Sequence, residues 1–290
     1  MKTIDKNLTK NYNIIIVNLD GLRRDKVHLV KSLNDLTNQS FFFRNIDTVS
    51  PYTFASIHSI MTGVYPSKHG VDAYYNILKF KKDEITTIAE ILTNKNFYTI
   101  CDVNSEAILS EKGFDEYNVY DEREIDFTKR HCDIIKRISD KHFFLFLQNT
   151  ETHNKYVRNI IDNDDEKKYF DNIIENNKKY ESHLEDTNKY VRNILETLKN
   201  SGISNNTILI FLSDHGTSLG EKEGERFYGV FLYEHTLNVF TILHIPGYAG
   251  KDIVKQCRSI DIFPTILDLI DSDKVLVTSL SFAFESSSLR

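Results

Sequence analysis

Apolar residues along this chain fall into two kinds of run. Five are short and rich in β-branched or aromatic residues: NIIIVN at 13–18, FYTICDV at 97–103, FFLFLQN at 143–149, TILIFLS at 207–213 and VFTILHI at 239–245. Apolar residues at consecutive positions predict strands covered on both faces, as in the interior of a parallel sheet. Between them, apolar positions three and four apart predict helices around 26–38, 55–62, 84–94, 127–140 and 165–200, and another after Pro264. The longest places Phe170, Ile173, Ile174, Leu184, Val191, Ile194, Leu195 and Leu198 in one stripe, with Lys, Glu and Asn elsewhere, so the stripe reads as core packing. The polar stretch 159–168 reads as a solvated loop. Strand and helix signals in alternation define an α/β fold with a largely parallel sheet. No repeat or Pro/Gly-rich linker interrupts the chain, which reads as one unit over 1–290, with a core at about 12–270 and a short tail.

Composition narrows the picture. A chain of 290 residues with 40% hydrophobic content can bury a sizeable core, so disorder is excluded as its main state. Its 42 acidic residues against 36 basic ones give a net charge of -6, and no basic field favours nucleic acid. Cys101, Cys132 and Cys257 lie far apart, without metal-knuckle spacing, and read as buried thiols. The longest apolar run near the N-terminus, 14–17, is far short of the roughly 20 residues that span a bilayer. The opening MKTIDKNLTK is polar, so no transmembrane segment and a cytoplasmic location are expected.

The candidate chemistry gathers where strand signals stop. IIIVN runs into Leu19-Asp20-Gly21, FFLFLQ into Asn149-Thr150-Glu151-Thr152-His153, and TILIFLS into Asp214-His215-Gly216. Ligands in open α/β sheets collect outside the carboxyl ends of the strands, so these clusters are expected to converge. Asp20, Asp214 and His215 offer two carboxylates and an imidazole, a donor mixture suited to Mn²⁺, Zn²⁺ or Mg²⁺. Taken singly, an Asp at a strand end is more often a cap or turn residue. Thr53, after Pro51 at the start of a helix signal, has two readings: a plain cap, or a hydroxyl that a divalent cation turns into a nucleophile beside a helix N-terminus that favours an anion.

The ordered set LDGLRRD, TFASIHSIMTGVYPSKHG, TETHNKY, NNTILIFLSDHGTSLGE and SIDIFPTILDL resembles the sulfatase family of the alkaline phosphatase superfamily over about residues 12 to 270. The TGVYPSKHG and SDHGTSLGE blocks are its most specific pieces. The resemblance implies an alkaline phosphatase-like three-layer sandwich, a largely parallel mixed sheet flanked by helices, with a covalent intermediate on the residue that starts the nucleophile helix. Counting back from Thr62-Gly63, the slot held by a modified cysteine or serine in formylglycine sulfatases falls on Thr53, and threonine is not a substrate for that modification. Phosphoryl-transferring relatives carry threonine there, so phosphate esters become the favoured substrates, glycan- or lipid-head-group-linked by analogy.

Carried over position by position, the resemblance makes Asp20, Thr53, Asp214 and His215 the ligands of one divalent cation, with Mn²⁺ or Zn²⁺ favoured and Mg²⁺ or Ca²⁺ compatible. It makes Thr53 the nucleophile and His153 the group at the leaving oxygen, acting as an acid. His58 is expected to stand in for an arginine that usually follows the nucleophile, and Lys68 and His69 either to neutralise charge on the transferred group or to serve a structural role in the loop. A second cation is not expected: Tyr228-Gly229 replaces a histidine, 259–261 offers no clear ligand, and Glu151 with His153 makes only two. Since little chain follows 270, a minimal catalytic domain or a site completed by another subunit is expected, with the oligomeric state open. Two rival readings are a formylglycine-independent sulfuric ester hydrolase and a catalytically silent module that binds an anionic glycan or lipid head group.

Overall fold

The computed structural model describes residues 12–163 and 166–270. All five strand signals become strands: β1 Asn13–Leu19, β3 Tyr98–Val103, β5 Phe143–Asn149, β6 Thr207–Leu212 and β7 Asn238–His244. Four more complete a nine-stranded sheet: β2 Phe41–Asp47, β4 Glu116–Val119, β8 Lys251–Ile253 and β9 Cys257–Arg258. The order is β4-β3-β5-β1-β6-β7-β2-β8, with β9 also on β2. β7 pairs antiparallel with both β6 and β2, while the other pairings are parallel.

Alternation along the central strands divides the core in two. Ile15, Val17 and Leu19 of β1, Phe143, Leu145 and Leu147 of β5, and Leu209 and Phe211 of β6 join one buried cluster. Their neighbours Ile14, Ile16, Phe144, Phe146, Ile208, Ile210 and Leu212 join the other. Both faces of the sheet are therefore covered, and each such side chain contributes about 1.5–3 kcal/mol relative to exposure. The first face is covered by α1 Lys31–Thr37, α5 Phe127–Arg137 and α9 Leu184–Asn200, the second by α2 Thr53–Thr62, α4 Ile88–Thr93 and α11 Ile262–Ile270. This is the expected three-layer sandwich. Short helices α3 Pro66–His69 and α10 Glu234–Leu237 lie in connections.

Two expectations change. The helix signal at 165–200 is three helices, α7 Glu166–Asp171, α8 Ile173–Ser182 and α9, broken at Asn172 (φ -119°, ψ 42°) and at His183. Leu184, Val191, Ile194 and Leu198 are buried, but Ile173 and Ile174 stand 42% and 76% exposed, because the break rotates them out of the stripe. The stretch 159–168 is not a loop throughout, since α6 Glu151–Asn163 runs into it. The three cysteines are free and buried, as expected. Among the described residues no helix is long and apolar enough to cross a membrane. The opening decapeptide and the tail from 271 lie outside the described residues.

Candidate metal and ester site

Register brings the three strand ends together. β1 lies between β5 and β6, with Leu19 opposite Asn149 and Asn18 opposite Leu212. The residues that follow, Asp20, Thr150 to His153, and Ser213 to His215, consequently leave the sheet at the same level. Asp20 N–H donates to Asn149 O at 3.0 Å, and Gly216 N–H to Thr236 O at 2.8 Å, which fixes both turns. The side chain of Gln148, inside the sheet, accepts from Asn18 Nδ2 and donates through Nε2 to Asp20 Oδ2 at 2.8 Å, aiming that carboxylate.

Thr53 enters from the other side of the crevice. Tyr52 is extended (φ -149°, ψ 155°) and Thr53 is the first helical residue of α2, so it is not the cap. Its Oγ1 lies 3.1 Å from His215 Nε2 and donates to Asp20 Oδ2 at 3.4 Å. The helix is tied to the β6 turn by Ser56, whose hydroxyl donates to Asp214 O at 2.8 Å and pairs with Thr48.

Asp20, Asp214 and His215 each offer one ligand atom, all within 4.8 Å of one another, and all three are buried. His215 Nε2 stands 3.5 Å from Asp20 Oδ1 and 3.7 Å from Asp214 Oδ2. Nδ1–H of His215 donates to Gly216 O at 2.8 Å, which leaves a lone pair on Nε2. Asp20 Oδ1 and Asp214 Oδ2 have no hydrogen-bond donor. Buried acceptor atoms facing one another without a donor are costly unless a cation sits among them. Burial, and then the neighbouring Asp214, push the Asp20 carboxyl well above the usual carboxylate range. The donor set of two carboxylates, an imidazole and the Thr53 hydroxyl fits one divalent cation.

His153, in the first turn of α6, is 7% exposed, its ring centroid 6.1 Å from that of His215. A Cβ on Gly21 (φ +64°) would stand 2.9 Å from the His153 ring, so the glycine lets the two loops close. His153 Nδ1 meets Asn154 Oδ1 at 3.0 Å, Nε2 has no partner, and burial lowers the ring's pKa below 6.5.

Two expected residues are engaged elsewhere, and a third is exposed. His58 is five positions along α2 from Thr53, about 140° round the helix. Its Nδ1 binds Phe54 O at 2.7 Å and its ring packs on Phe80, so it cannot stand in for an arginine at the nucleophile. His69 is buried, bound to Ser59 Oγ at 2.9 Å and to Val71 N. It props the loop. Lys68, beside it, is exposed in α3. Glu151 is paired with Lys155, and Asp261 with Arg258. The one group of three or more candidate ligands among the described residues is Asp20, Asp214 and His215.

Tyr228, expected only as the replacement of a histidine, has a role in the structure: its ring stacks on His215 at 4.4 Å and 22° and lies 4.8 Å from the His153 ring. Arg23 of LDGLRRD reaches Glu221 of SLGE. Its guanidinium is held by Asp25, by Glu221 and by Thr217 O, clasping the β1 loop to the β6 loop. Gln148 was readable in principle as a polar residue inside a buried apolar strand.

A three-layer sandwich whose adjacent strand ends carry carboxylates and an imidazole, with a hydroxyl at a helix start, defines the alkaline phosphatase superfamily arrangement. Within it, the chain belongs to the sulfatase family, whose sequence profile matches residues 12–272. A segment of 76 residues is 32% identical to Arylsulfatase K of Danio rerio, covering 26% of this chain and 14% of that protein. The fold is similar to that of the lipoteichoic acid synthase LtaP from Listeria monocytogenes, with TM-score 0.71, 18% identity, and coverage of 92% of this chain and 74% of that one. It is also similar to the phosphonate monoester hydrolase SpPMH from Silicibacter pomeroyi, with TM-score 0.70, 15% identity, and coverage of 90% and 73%.

Proposed function

We propose that this chain is a divalent-cation-dependent enzyme that cleaves or transfers phosphate esters, with Thr53 as nucleophile. One observation carries the reading: the Thr53 hydroxyl points at a buried set of acceptor atoms, two of them without a donor. Asp20, Thr53, Asp214 and His215 would hold the cation, Mn²⁺ or Zn²⁺ by donor type, which supplies Lewis acidity that makes a hydroxyl nucleophilic near neutral pH.

Thr53 Oγ1 gives its proton to solvent and attacks phosphorus, the bond to the leaving oxygen breaks with that oxygen taking a proton from water, and the phosphoryl group resides on Thr53. The N-terminus of α2 faces the charge on the non-bridging oxygens. His153, with Nδ1 turned to Asn154 and burial favouring the neutral ring, presents an unprotonated Nε2. That suits it to take the proton from the water or alcohol that resolves the intermediate, more than to act first as an acid at the leaving oxygen. Tyr228, stacked on His215, keeps bulk water off one side of the site.

The test is turnover of bis-p-nitrophenyl phosphate, p-nitrophenyl phosphate and p-nitrophenyl sulfate by metal-stripped protein refilled with Mn²⁺, Zn²⁺, Mg²⁺ or Ca²⁺. Metal-dependent release from a phosphate ester that vanishes in Thr53→Ala supports the reading. Preference for the sulfate moves the protein to the sulfuric ester hydrolases, and turnover indifferent to Thr53→Ala removes the nucleophile.

A further inference from the structure

Two exposed segments meet over the site. Tyr74 stacks on Tyr52, the residue before Thr53, with ring centroids 4.5 Å apart and planes 25° apart. On its far side Tyr74 Oη packs so closely on Gly229 that a Cβ there would fall 2.4 Å from it. Gly229 follows Tyr228, which stacks on His215, so Tyr74 bridges the nucleophile side of the crevice to the imidazole side. Burial, and after it the charges of Tyr52, Asp20 and Glu225, push the Tyr74 phenol up to about 12.

What these segments show to solvent is apolar. Tyr75 is 86% exposed and Leu78 76%; on the other segment Val230 is 66%, Phe231 40% and Leu232 72% exposed. The second segment has no helix or strand, yet it is held in shape. The carboxylate of Glu225, fully buried, accepts from the backbone N–H groups of Val230 at 3.3 Å and Phe231 at 3.0 Å. Phe227 and Gly229 turn through positive φ, at 76° and 93°. A buried acid and a strained non-glycine residue cost stability, and here they hold three apolar side chains out into water. Contiguous exposed apolar side chains mark a binding surface far more than scattered single ones do.

We infer that this rim, Tyr75 and Leu78 in the segment of Tyr74 and Val230, Phe231 and Leu232 in the segment of Gly229, binds an apolar substituent of the ester substrate, an alkyl or aryl chain on the phosphodiester, while the charged phosphorus lies at Thr53. The inference rests on the ester-cleaving reading of the site. Continuity with that site is what selects the occupant, since the rim is joined through Tyr52 to Thr53 and through Tyr228 to His215. A sulfated or phosphorylated sugar alone would leave the apolar rim wet.

The experiment compares methyl p-nitrophenyl phosphate with octyl p-nitrophenyl phosphate, which share a charge and a leaving group, on the full Mn²⁺-loaded chain below the micelle concentration of the octyl ester. The expected kcat/KM ratio favours octyl by about tenfold or more. It falls toward one in Leu232→Ser and in Tyr75→Ser, and is kept in Val254→Ser, an exposed apolar residue beyond β8. Equal rates in the wild-type chain, or a ratio that survives both rim changes, overturn the inference. If neither ester is cleaved, the nucleophile reading fails and binding decides the rim: calorimetry on Thr53→Ala must show the octyl ester held more tightly than the methyl ester, with Leu232→Ser removing the difference, and equal affinities contradict it. A dimer in sedimentation that Leu232→Ser dissociates assigns the rim to a second copy of this chain and overturns the inference as well.

Discussion

Two buried groups of the same residue types sit at different places on this sheet, and they are finished to different degrees. Asp102 on β3 is fully buried, as Asp214 is. Its two oxygens accept from Arg130 NH2 at 2.6 Å and Nε at 2.8 Å, and His131 Nε2 stands 3.2 Å away. His131 Nδ1 in turn meets Tyr190 Oη at 2.7 Å, and the Arg130 guanidinium lies over the Tyr120 ring. Acid and cation balance within the chain. At Asp20 and Asp214 one oxygen of each carboxylate, Oδ1 and Oδ2 respectively, has no donor, and the imidazole turns a lone pair toward them. The contrast teaches that burial of Asp and His does not make a site. An unbalanced acceptor set is what supports the proposed cation site, because a positive charge among those atoms would complete it.

The largest way to break this contrast is at the hydroxyl. Thr53→Ala is expected to lower turnover by about 10³-fold or more, since it removes the attacking group itself. Thr53→Ser retains measurable turnover, and steady-state rates on a phosphodiester check both. At the balanced cluster, Asp102→Ala leaves Arg130 and His131 without their acid and is expected to cost about 3 kcal/mol of stability with no change in metal affinity. Urea unfolding reads the first and calorimetry the second.

Stability separates the two clusters more finely. Mn²⁺ at a hundredfold excess over its dissociation constant is expected to stabilise the wild-type chain by about 2.7 kcal/mol, seen as a rise in Tm. Asp214→Asn abolishes that rise. Its metal-free form is at least as stable as metal-free wild type, because it relieves the repulsion with Asp20.

The smallest effect concerns the histidines that the structure takes out of the site. Burial holds His58 and His69 down to about 4, from 6.5. The unfolded chain takes up these protons below about 6.5, and the folded chain does not until about 4. Their contribution to stability is therefore complete above 6.5, declines as pH falls through that window and levels off below 4. His58→Gln is expected to remove one proton from the linkage, a slope change of about 1.4 kcal/mol per pH unit between 4 and 6.5, in urea midpoints measured across pH.

The central strands and the convergence of their ends were legible because a fully buried strand leaves a continuous apolar run, and the polar residue that ends it stands out. β2 was not, since FFFRNID mixes buried and exposed positions and its antiparallel partner β7 lies far along the chain. β4, the edge strand EYNV, is polar and short. The breaks at Asn172 and His183 carry no glycine or proline to announce them. Strand ends and motif order pointed to Asp20, Thr53, Asp214, His215 and His153, residues that the structure brings together. Which way His58 and His69 face was not legible, because a motif shows neighbours in sequence, whereas helical rotation and a hydrogen bond to Ser59 decide where the rings point. Tyr228 and Arg23 act through stacking and a clasp between distant loops, which no local pattern encodes.

The most direct measurement is a calorimetric titration of the metal-stripped full chain with Mn²⁺. The account expects one ion per chain, lost in Asp20→Asn and Asp214→Asn and kept in Asp102→Asn. No binding by the wild-type chain, or binding that Asp214→Asn leaves intact, would contradict it.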